Sequence, residues 1–300
     1  MKLFAPGYYK DFKCTASECK KSCCVGWEID VDQITLEKYK CNRAFLDILS
    51  TVDMTDTPHF KLSEDERCPH LTPSGLCSII LLHSEDSLPE ICREHPRFYN
   101  ETVRGKEVGL GIVCEEASKI VLSSDSYYPL EVAREVDGDP VSPVDNSEIL
   151  DGVFKILSDR SIPYQVRLKA LYKRAGVSPD IHSDLDIIDM LLSSEIACET
   201  DSDLFSLYSS DILDEDPYEL YLERFLAYLI YRHVSAAENG MELRASLGFA
   251  FVLERLFSSI LRCSLITGQE DIERIASAIS LELEYSEENT EAIRLEFFLN

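Results

Sequence analysis

The chain has 300 residues, of which 45% are hydrophobic, and its formal net charge is −26. This apolar fraction is enough to build a core, which argues against a wholly disordered protein. The acidic excess argues against a nucleic-acid-binding protein, because contacts to a phosphate backbone need clustered lysine and arginine.

The start of the chain carries Lys2, but Pro6, Lys10 and Asp11 interrupt any apolar stretch of signal-peptide length. The longest apolar-looking stretch, 247–265, contains three charged side chains, so we do not expect it to cross a membrane. These patterns predict a cytoplasmic protein with no membrane partner. Thiols stay reduced in that compartment, so a dense group of cysteines there indicates metal binding or catalysis.

Nine of the 11 cysteines lie within the first 114 residues. Thiolates are the ligands that zinc and iron–sulfur clusters both favour, so the residues alone leave the metal open. We expect eight of these cysteines to form two four-ligand sites, or one site with accessory thiols. The predicted ligands are Cys14, Cys19, Cys23, Cys24, Cys68, Cys77, Cys92 and Cys114. The remaining three, Cys41, Cys198 and Cys263, lie on helical patterns and are predicted to be core thiols.

Residues 1–122 are predicted to form a cysteine-rich, metal-binding domain of small, irregular α and β elements. Alternating side chains indicate strands, Asp is a common helix N-cap, and glycine favours tight turns. The predicted elements are a strand over 27–32, a helix over 35–39 capped by Asp32, a hairpin turning at Gly105 and a helix over 114–120.

Residues 123–147, which are rich in Ser, Asp and Pro, are predicted to be a linker, and 148–300 an acidic helical domain. Residues 1–120 carry 15 of the 29 basic and 20 of the 55 acidic residues, so most of the negative charge lies beyond them. Helices are predicted over 149–157, 164–175, 184–198, 217–235, 241–263 and 272–283, with a last one beginning at a capping box at Ser286. The predicted fold is therefore mainly α, with no Rossmann-type sheet.

Several motifs combine these cysteines with distinctive neighbours. The first four cysteines run into Gly26-Trp27, Cys68 is followed by Pro69, and Cys92 is followed by His95-Pro96-Arg97. An aromatic helix over 218–232 and the segment 284–289 follow further along the chain. Over nearly the whole chain these features resemble the flagellin lysine-N-methylase family. The cysteine pattern is also similar to a group described as zinc- or iron-chelating.

The resemblance implies transfer of a methyl group from S-adenosylmethionine to lysine side chains of flagellin. It also implies an iron–sulfur cluster of the 4Fe–4S type, with zinc as the alternative, held by the N-terminal cysteines. Radical S-adenosylmethionine enzymes use C-x3-C-x2-C. Cys19 and Cys23 match the first gap, but Gly26 stands at the third position. The alternative function is a non-catalytic iron–sulfur or zinc-chelating module or an interaction scaffold.

A lysine methylase must deprotonate its substrate, because the pKa of a free lysine is about 10.4. Tyr221, Glu223 and Tyr228, on the predicted aromatic helix, are candidate catalytic residues; the alternative is that they belong to the core. Arg97 and Trp27 are candidates for binding the methyl donor, since a guanidinium pairs with carboxylates and an aromatic ring attracts cations.

Overall fold

The computed structural model describes residues 1–138, 144–177, 217–263 and 265–299, with the side chains of Cys263 and Leu299 excepted. It divides into two compact units. We call Lys13–Arg97 with Cys114–Glu116 the cysteine-rich unit. The rest, Met1–Phe12, Phe98–Val113 and Ala117–Asn300, is the helical unit.

The regular elements of the described residues are as follows. The strands are β1 (Lys2–Ala5), β2 (Val52–Asp53), β3 (His59–Phe60), β4 (Arg97–Thr102), β5 (Gly105–Leu110) and β6 (Glu131–Glu135). The helices are α1 (Gln33–Cys41), α2 (Leu46–Leu49), α3 (Ser78–Leu82), α4 (Glu90–Glu94), α5 (Glu115–Ser123), α6 (Ser147–Leu157), α7 (Tyr164–Ala175), α8 (Glu219–Val234), α9 (Gly240–Cys263), α10 (Gln269–Glu284) and α11 (Glu287–Leu299). Short 3-10 turns occupy Gly7–Asp11, Ala16–Glu18, Arg43–Phe45 and Glu85–Ser87.

The predicted fold class is confirmed. The largest sheet among the described residues has four strands in the order β4-β5-β1-β6, with β1 parallel to β5 and antiparallel to β6. A sheet of this size and mixed pairing is not a Rossmann-type sheet. No described helix is both long and apolar enough to cross a bilayer.

The sheet explains why the units differ from the predicted boundaries. Strand β1 begins the chain, yet it pairs with β5 and with β6, which falls inside the predicted linker 123–147. Hydrogen bonds between strands distant in sequence therefore place the first 12 residues with the helical unit. The predicted division at 122 and 147 stays a prediction.

The predicted hairpin at Gly105 is confirmed, and it yields a test of backbone geometry. Gly105 has φ +140°, and a Cβ there would run into the carbonyl oxygen of Lys2 on β1. We expect Gly105→Ala to lower the free energy of unfolding by roughly 1–3 kcal/mol. Gly176→Ala is the matched control, since Gly176 also has positive φ but nothing lies within 4 Å of its Cβ position. Urea denaturation should show the smaller loss for Gly176→Ala, and equal losses would contradict the clash.

The helices of the helical unit follow the predicted pattern closely. Gly176, in the left-handed conformation at φ +66°, ends α7 as predicted. At the start of α11, the Asn289 N–H donates to Ser286 Oγ at 3.3 Å, which confirms the predicted cap. Helix α8 is buried around most of its surface and packs on α9. The helix predicted over 184–198, with Cys198, lies outside the described residues.

In the cysteine-rich unit one local prediction is confirmed and another is wrong. Asp32 Oδ1 accepts a hydrogen bond from the Thr35 N–H at 2.9 Å and so caps α1. Residues 27–32 do not form a strand; a single bridge joins Asp30 to His59. Their alternation has another cause, because Ile29 and Val31 point into the core from an irregular segment.

Candidate functional site

The core of the cysteine-rich unit brings together four of the eight predicted metal ligands. Cys68 is buried in this core, and Cys24, Cys77 and Cys92 pack against it. After burial, which is the largest cause, the Cys24 thiol adds to the rise in pKa of each of the other three, and Cys68 and Cys77 also raise the pKa of Cys92. Four segments of the chain therefore deliver one thiol each to a single region, which we call the four-thiol group.

Local structure explains how these segments meet. The Cys68 N–H donates to the Cys24 carbonyl at 2.9 Å. Between the second and third thiols, Gly75 takes a positive φ of +77°, and an isolated bridge joins Leu71 to Cys77. The turn at Gly75 thus folds Cys77 back toward Cys68, as glycine allows at a left-handed position.

Cys23 and Cys14 lie at the edge of the four-thiol group. The Cys23 thiol donates a hydrogen bond to the Cys24 sulfur, and this lowers the pKa of Cys24 to about 7 and raises that of Cys23. Arg67 also favours the Cys24 thiolate. Of the four thiols, Cys24 is therefore the one that ionises first.

Cys19 and Cys114 belong to a different neighbourhood. Burial and the nearby Glu115 carboxylate raise the pKa of Cys19 to about 11, with Cys114 adding to the shift. The Cys19 thiol donates to Glu115 at 3.6 Å, and the Lys20 N–H donates to the same oxygen at 2.8 Å. Cys19 and Cys23, which match the first gap of the radical motif, thus have different neighbours.

The donor set fits a soft metal in its chemistry. Burial raises the pKa of Cys68 to about 11 and also raises those of Cys77 and Cys92, so a metal would have to displace their protons. Within the described ranges, however, no three His, Cys, Asp or Glu side chains are arranged to hold one ion. The argument for a metal site therefore rests on the chemistry of the thiols and on their closeness to one another. The assignment of the ligands stays a prediction.

Two further residues are placed by the structure outside the four-thiol group. Cys41, predicted to be a core thiol, is exposed at the end of α1, so that prediction is wrong. His70 is buried, and its two ring nitrogens contact Thr51 Oγ1 at 2.9 Å and Ser78 Oγ at 3.3 Å. Its position is therefore explained by hydrogen bonds within the protein.

The candidate donor-binding residues both lie in the cysteine-rich unit. The Arg97 guanidinium donates to the Arg93 carbonyl at 3.4 Å. The Trp27 ring stands edge-on to His95, with 6.3 Å between the ring centroids. These contacts leave the donor-binding role of Arg97 and Trp27 a prediction.

Glu223, a candidate catalytic residue, lies at the centre of a buried ionic network. Its side chain is 0% exposed and pairs with Arg167 at 2.6 Å and Arg160 at 2.9 Å, while the Tyr127 hydroxyl donates to it at 2.7 Å. Burial alone would raise the pKa of Glu223, but these hydrogen bonds outweigh it and hold the pKa below its ordinary value. The arrangement stabilises the carboxylate and opposes proton uptake.

Tyr228 is equally enclosed, whereas Tyr221 is only half-buried. The Tyr228 hydroxyl accepts from Arg232 at 2.7 Å and donates to Glu284 at 3.0 Å. Burial raises its pKa well above the ordinary value. Core packing thus accounts for Tyr228, and the catalytic role of all three candidates stays a prediction.

Sequence reasoning missed a chain of polar groups that links three helices. His233 Nε2 lies 2.7 Å from Glu284, and His233 Nδ1 lies 3.2 Å from Arg294 Nη2. Because arginine can only donate, Nδ1 accepts, and Nε2 carries the proton that is donated to Glu284. Burial lowers the pKa of His233, which agrees with a neutral ring. The only sequence signal was the presence of charged residues on otherwise apolar helices.

The pKa values of these buried groups indicate that the folded protein becomes less stable in acid. The pKa of His233 is below its ordinary 6.5, so the unfolded chain takes up that proton first and stability falls as the pH drops through about 6.5. The pKa values of Glu223 and Glu284 are below 4.5, so their contribution is lost as the pH falls further, through the folded-state values. Urea denaturation between about pH 8 and pH 4 checks this. A free energy of unfolding that stays constant over that range would contradict it.

Comparison with known proteins gives a partial match. The chain is 23% identical over 139 residues to a lysine-N-methylase of Salmonella typhimurium and 25% identical over 134 residues to one of Salmonella choleraesuis. It is also 25% identical over 136 residues to the flagellar biosynthetic protein FliU of Salmonella muenchen. The resemblance to the flagellin lysine-N-methylase family is confirmed over these residues.

The match covers only part of the chains that are compared. It covers 42% of this chain in each case, but only 33% of the two lysine-N-methylases and 79% of FliU. No family model matches the chain, and no solved structure does. The chain is thus similar to about a third of the length of the curated lysine-N-methylases.

Proposed function

We propose that the protein is a cytoplasmic lysine N-methyltransferase that acts on flagellin. S-adenosylmethionine is the methyl donor in this proposal. The observation that carries it is the match to two proteins named lysine-N-methylase. The name of the third relative, a flagellar biosynthetic protein, supports a flagellar substrate.

The transfer itself is a substitution at carbon. The neutral lysine nitrogen attacks the donor's methyl carbon, the carbon–sulfur bond breaks, and sulfur keeps the electron pair, which leaves S-adenosylhomocysteine. The lysine must first lose a proton. Tyr221, the least enclosed of the three candidate residues, is the one we would test as the acceptor, which it can be only in its phenolate form. The acidic residues beyond 120 would attract a lysine-bearing surface.

The predicted metal ligands divide into two sets in this proposal. The four-thiol group, with Cys14 and Cys23 at its edge, would hold a 4Fe–4S cluster or zinc. Cys19 and Cys114 would be accessory thiols. Such a centre would supply folding energy to a unit with short helices, and iron–sulfur would add redox chemistry.

The test is methyl transfer by the full chain, purified without oxygen. Unmodified flagellin is incubated with S-adenosylmethionine that carries an isotopically labelled methyl group, and peptides are analysed by mass spectrometry. We expect label on lysine side chains of flagellin and none on an unrelated lysine-rich protein. Tyr221→Phe should lower the rate if that residue takes the proton. No label on flagellin, with the metal intact, would favour the non-catalytic metal module instead.

A further inference from the structure

A cavity of about 330 Å³ lies in the helical unit between α6, α7 and α9. Its volume is at the lower end of the range of small-molecule sites, roughly 300–1,000 Å³. All three helices contribute apolar side chains to its walls, among them Ile149, Val153, Leu171, Leu243, Leu247 and Phe251. The lining that the structure describes also includes two arginines, Arg174 and Arg244, and no acidic residue.

Neither of these two arginines has a counter-ion among the described residues. The chain carries 55 acidic residues against 29 basic ones, so two arginines that share a cavity without a carboxylate are unexpected. The Arg174 side chain is exposed, so a ligand can reach its guanidinium. Arg244 is half-buried: its Nε is closed off and unpaired, whereas its two terminal nitrogens are not closed off. Leaving such a donor unpaired is costly, and an anion in the cavity would offset that cost.

The carboxylate nearest to Arg244 in sequence has other partners. Glu242 accepts from the Glu238 N–H at 2.8 Å and from the Asn239 side chain at 2.9 Å. Residues two apart on a helix face different directions, so Glu242 does not compensate Arg244. Gly240, at the N-terminal end of α9, also lines the cavity, and this end of a helix carries partial positive charge. The cavity therefore favours an anion.

Arg174 is positioned at the cavity by a glycine on the neighbouring helix. A Cβ at Gly152, on α6, would lie only 2.5 Å from Arg174 Nη2. The guanidinium thus rests on the backbone of α6, in space that any larger residue would fill. On the opposite wall, the Phe251 ring is packed edge-on against Tyr172, with 4.8 Å between the ring centroids. The cationic and the apolar sides of the cavity are therefore both held in place.

We propose that this cavity binds a small amphiphilic carboxylate, with its head group on Arg174 and Arg244 and its apolar chain on Leu247 and Phe251. A carboxylate matches the planar fork of a guanidinium. A head group without a chain would leave the apolar walls uncovered, and a chain without a charge would leave the arginines unpaired. This site is independent of the proposed methyl transfer.

The test is calorimetric titration of the full chain with octanoate as the probe. Acetate carries the head group without the chain, and 1-octanol carries the chain without the charge. We expect octanoate to bind at one site per chain, with acetate and 1-octanol each weaker by roughly tenfold or more. Arg244→Gln should weaken octanoate binding roughly 10- to 100-fold. Octyl phosphate, with the same chain, tests which acidic head group is preferred.

Gly152→Ala tests the geometry without removing a charge. The added methyl group should displace the Arg174 guanidinium from the cavity and weaken octanoate binding several-fold. Alanine favours a helix more than glycine does, so urea denaturation should show this variant to be at least as stable as the wild type. Lys173→Gln is the matched control, because it removes a positive charge next to Arg174 in α7 but does not line the cavity. It should leave octanoate binding unchanged.

The results would distinguish the possible ligands. Failure of octanoate to bind, or equal binding to wild type, Arg244→Gln and Gly152→Ala, would overturn the site. Equal binding of 1-octanol and octanoate would show an apolar cavity without a role for the arginines. Much tighter binding of octyl phosphate would overturn the assignment of a carboxylate. Octanoate binding that is weakened by Arg244→Gln and Gly152→Ala, but not by Lys173→Gln, would support the site whether or not flagellin is methylated.

Discussion

Replacement of Glu223 by glutamine is expected to lower the free energy of unfolding by about 3–5 kcal/mol. Glutamine keeps the shape but removes the charge that faces Arg167, which is 2% exposed, and Arg160. A buried guanidinium without a counter-ion is strongly unfavourable. The cost comes from the cation left behind, so the double variant Glu223→Leu with Arg167→Met should recover much of the loss.

The control is an exposed ion pair on the same unit. Lys106 and Glu101 lie 3.1 Å apart with side chains 38% and 42% exposed, and Lys106→Gln should change stability by less than about 1 kcal/mol. Chemical denaturation of the variants at neutral pH gives the comparison. If Glu223→Gln costs no more than Lys106→Gln, Glu223 is not the anchor of the network. The hypothesis that Glu223 acts in proton transfer would then be favoured over a structural role.

Replacement of Cys24 by serine is expected to abolish the metal binding that we propose for the four-thiol group. Cys24 belongs to the four-thiol group, and its pKa of about 7 makes it the first of those four thiols to ionise. Serine is a poor ligand for soft metals, so the remaining thiols would hold the ion weakly. Elemental analysis of protein purified without oxygen measures the loss.

Two further cysteine variants sharpen this prediction. Cys41→Ser is the control, because that thiol is exposed and is not one of the predicted ligands. Cys19→Ser tests the second neighbourhood, and it should keep the metal if Cys19 and Cys114 are accessory thiols. A full metal complement in Cys24→Ser would show that the four-thiol group is not the ligand set. Loss of part of the metal in Cys19→Ser would indicate two sites.

Features set by neighbours in sequence were predictable. The Asp32 cap, the Gly105 hairpin and the Gly176 stop each depend on a few adjacent residues, and all three are confirmed. The strand expected over 27–32 was wrong because an irregular segment crossing a core also alternates between buried and exposed side chains.

Features set by contacts between distant segments were not predictable. The pairing of β1 with β5 joins residues about a hundred positions apart, so the grouping of the chain into units differed from the expected boundaries. The cysteines were identifiable by type and spacing, but their division into two neighbourhoods needed the fold. The links between His233, Glu284 and Arg294 also needed the fold, because the three residues come from separate helices.

The central claim, that the gathered thiols form a metal centre, is tested most directly on the wild-type protein. The full chain is purified without oxygen, and its iron, acid-labile sulfide, zinc and visible absorption are measured together. We expect iron and sulfide in equal amounts with a visible chromophore, or stoichiometric zinc without colour. A folded protein that contains none of these metals, and whose thiols all react with a thiol reagent, would contradict the claim.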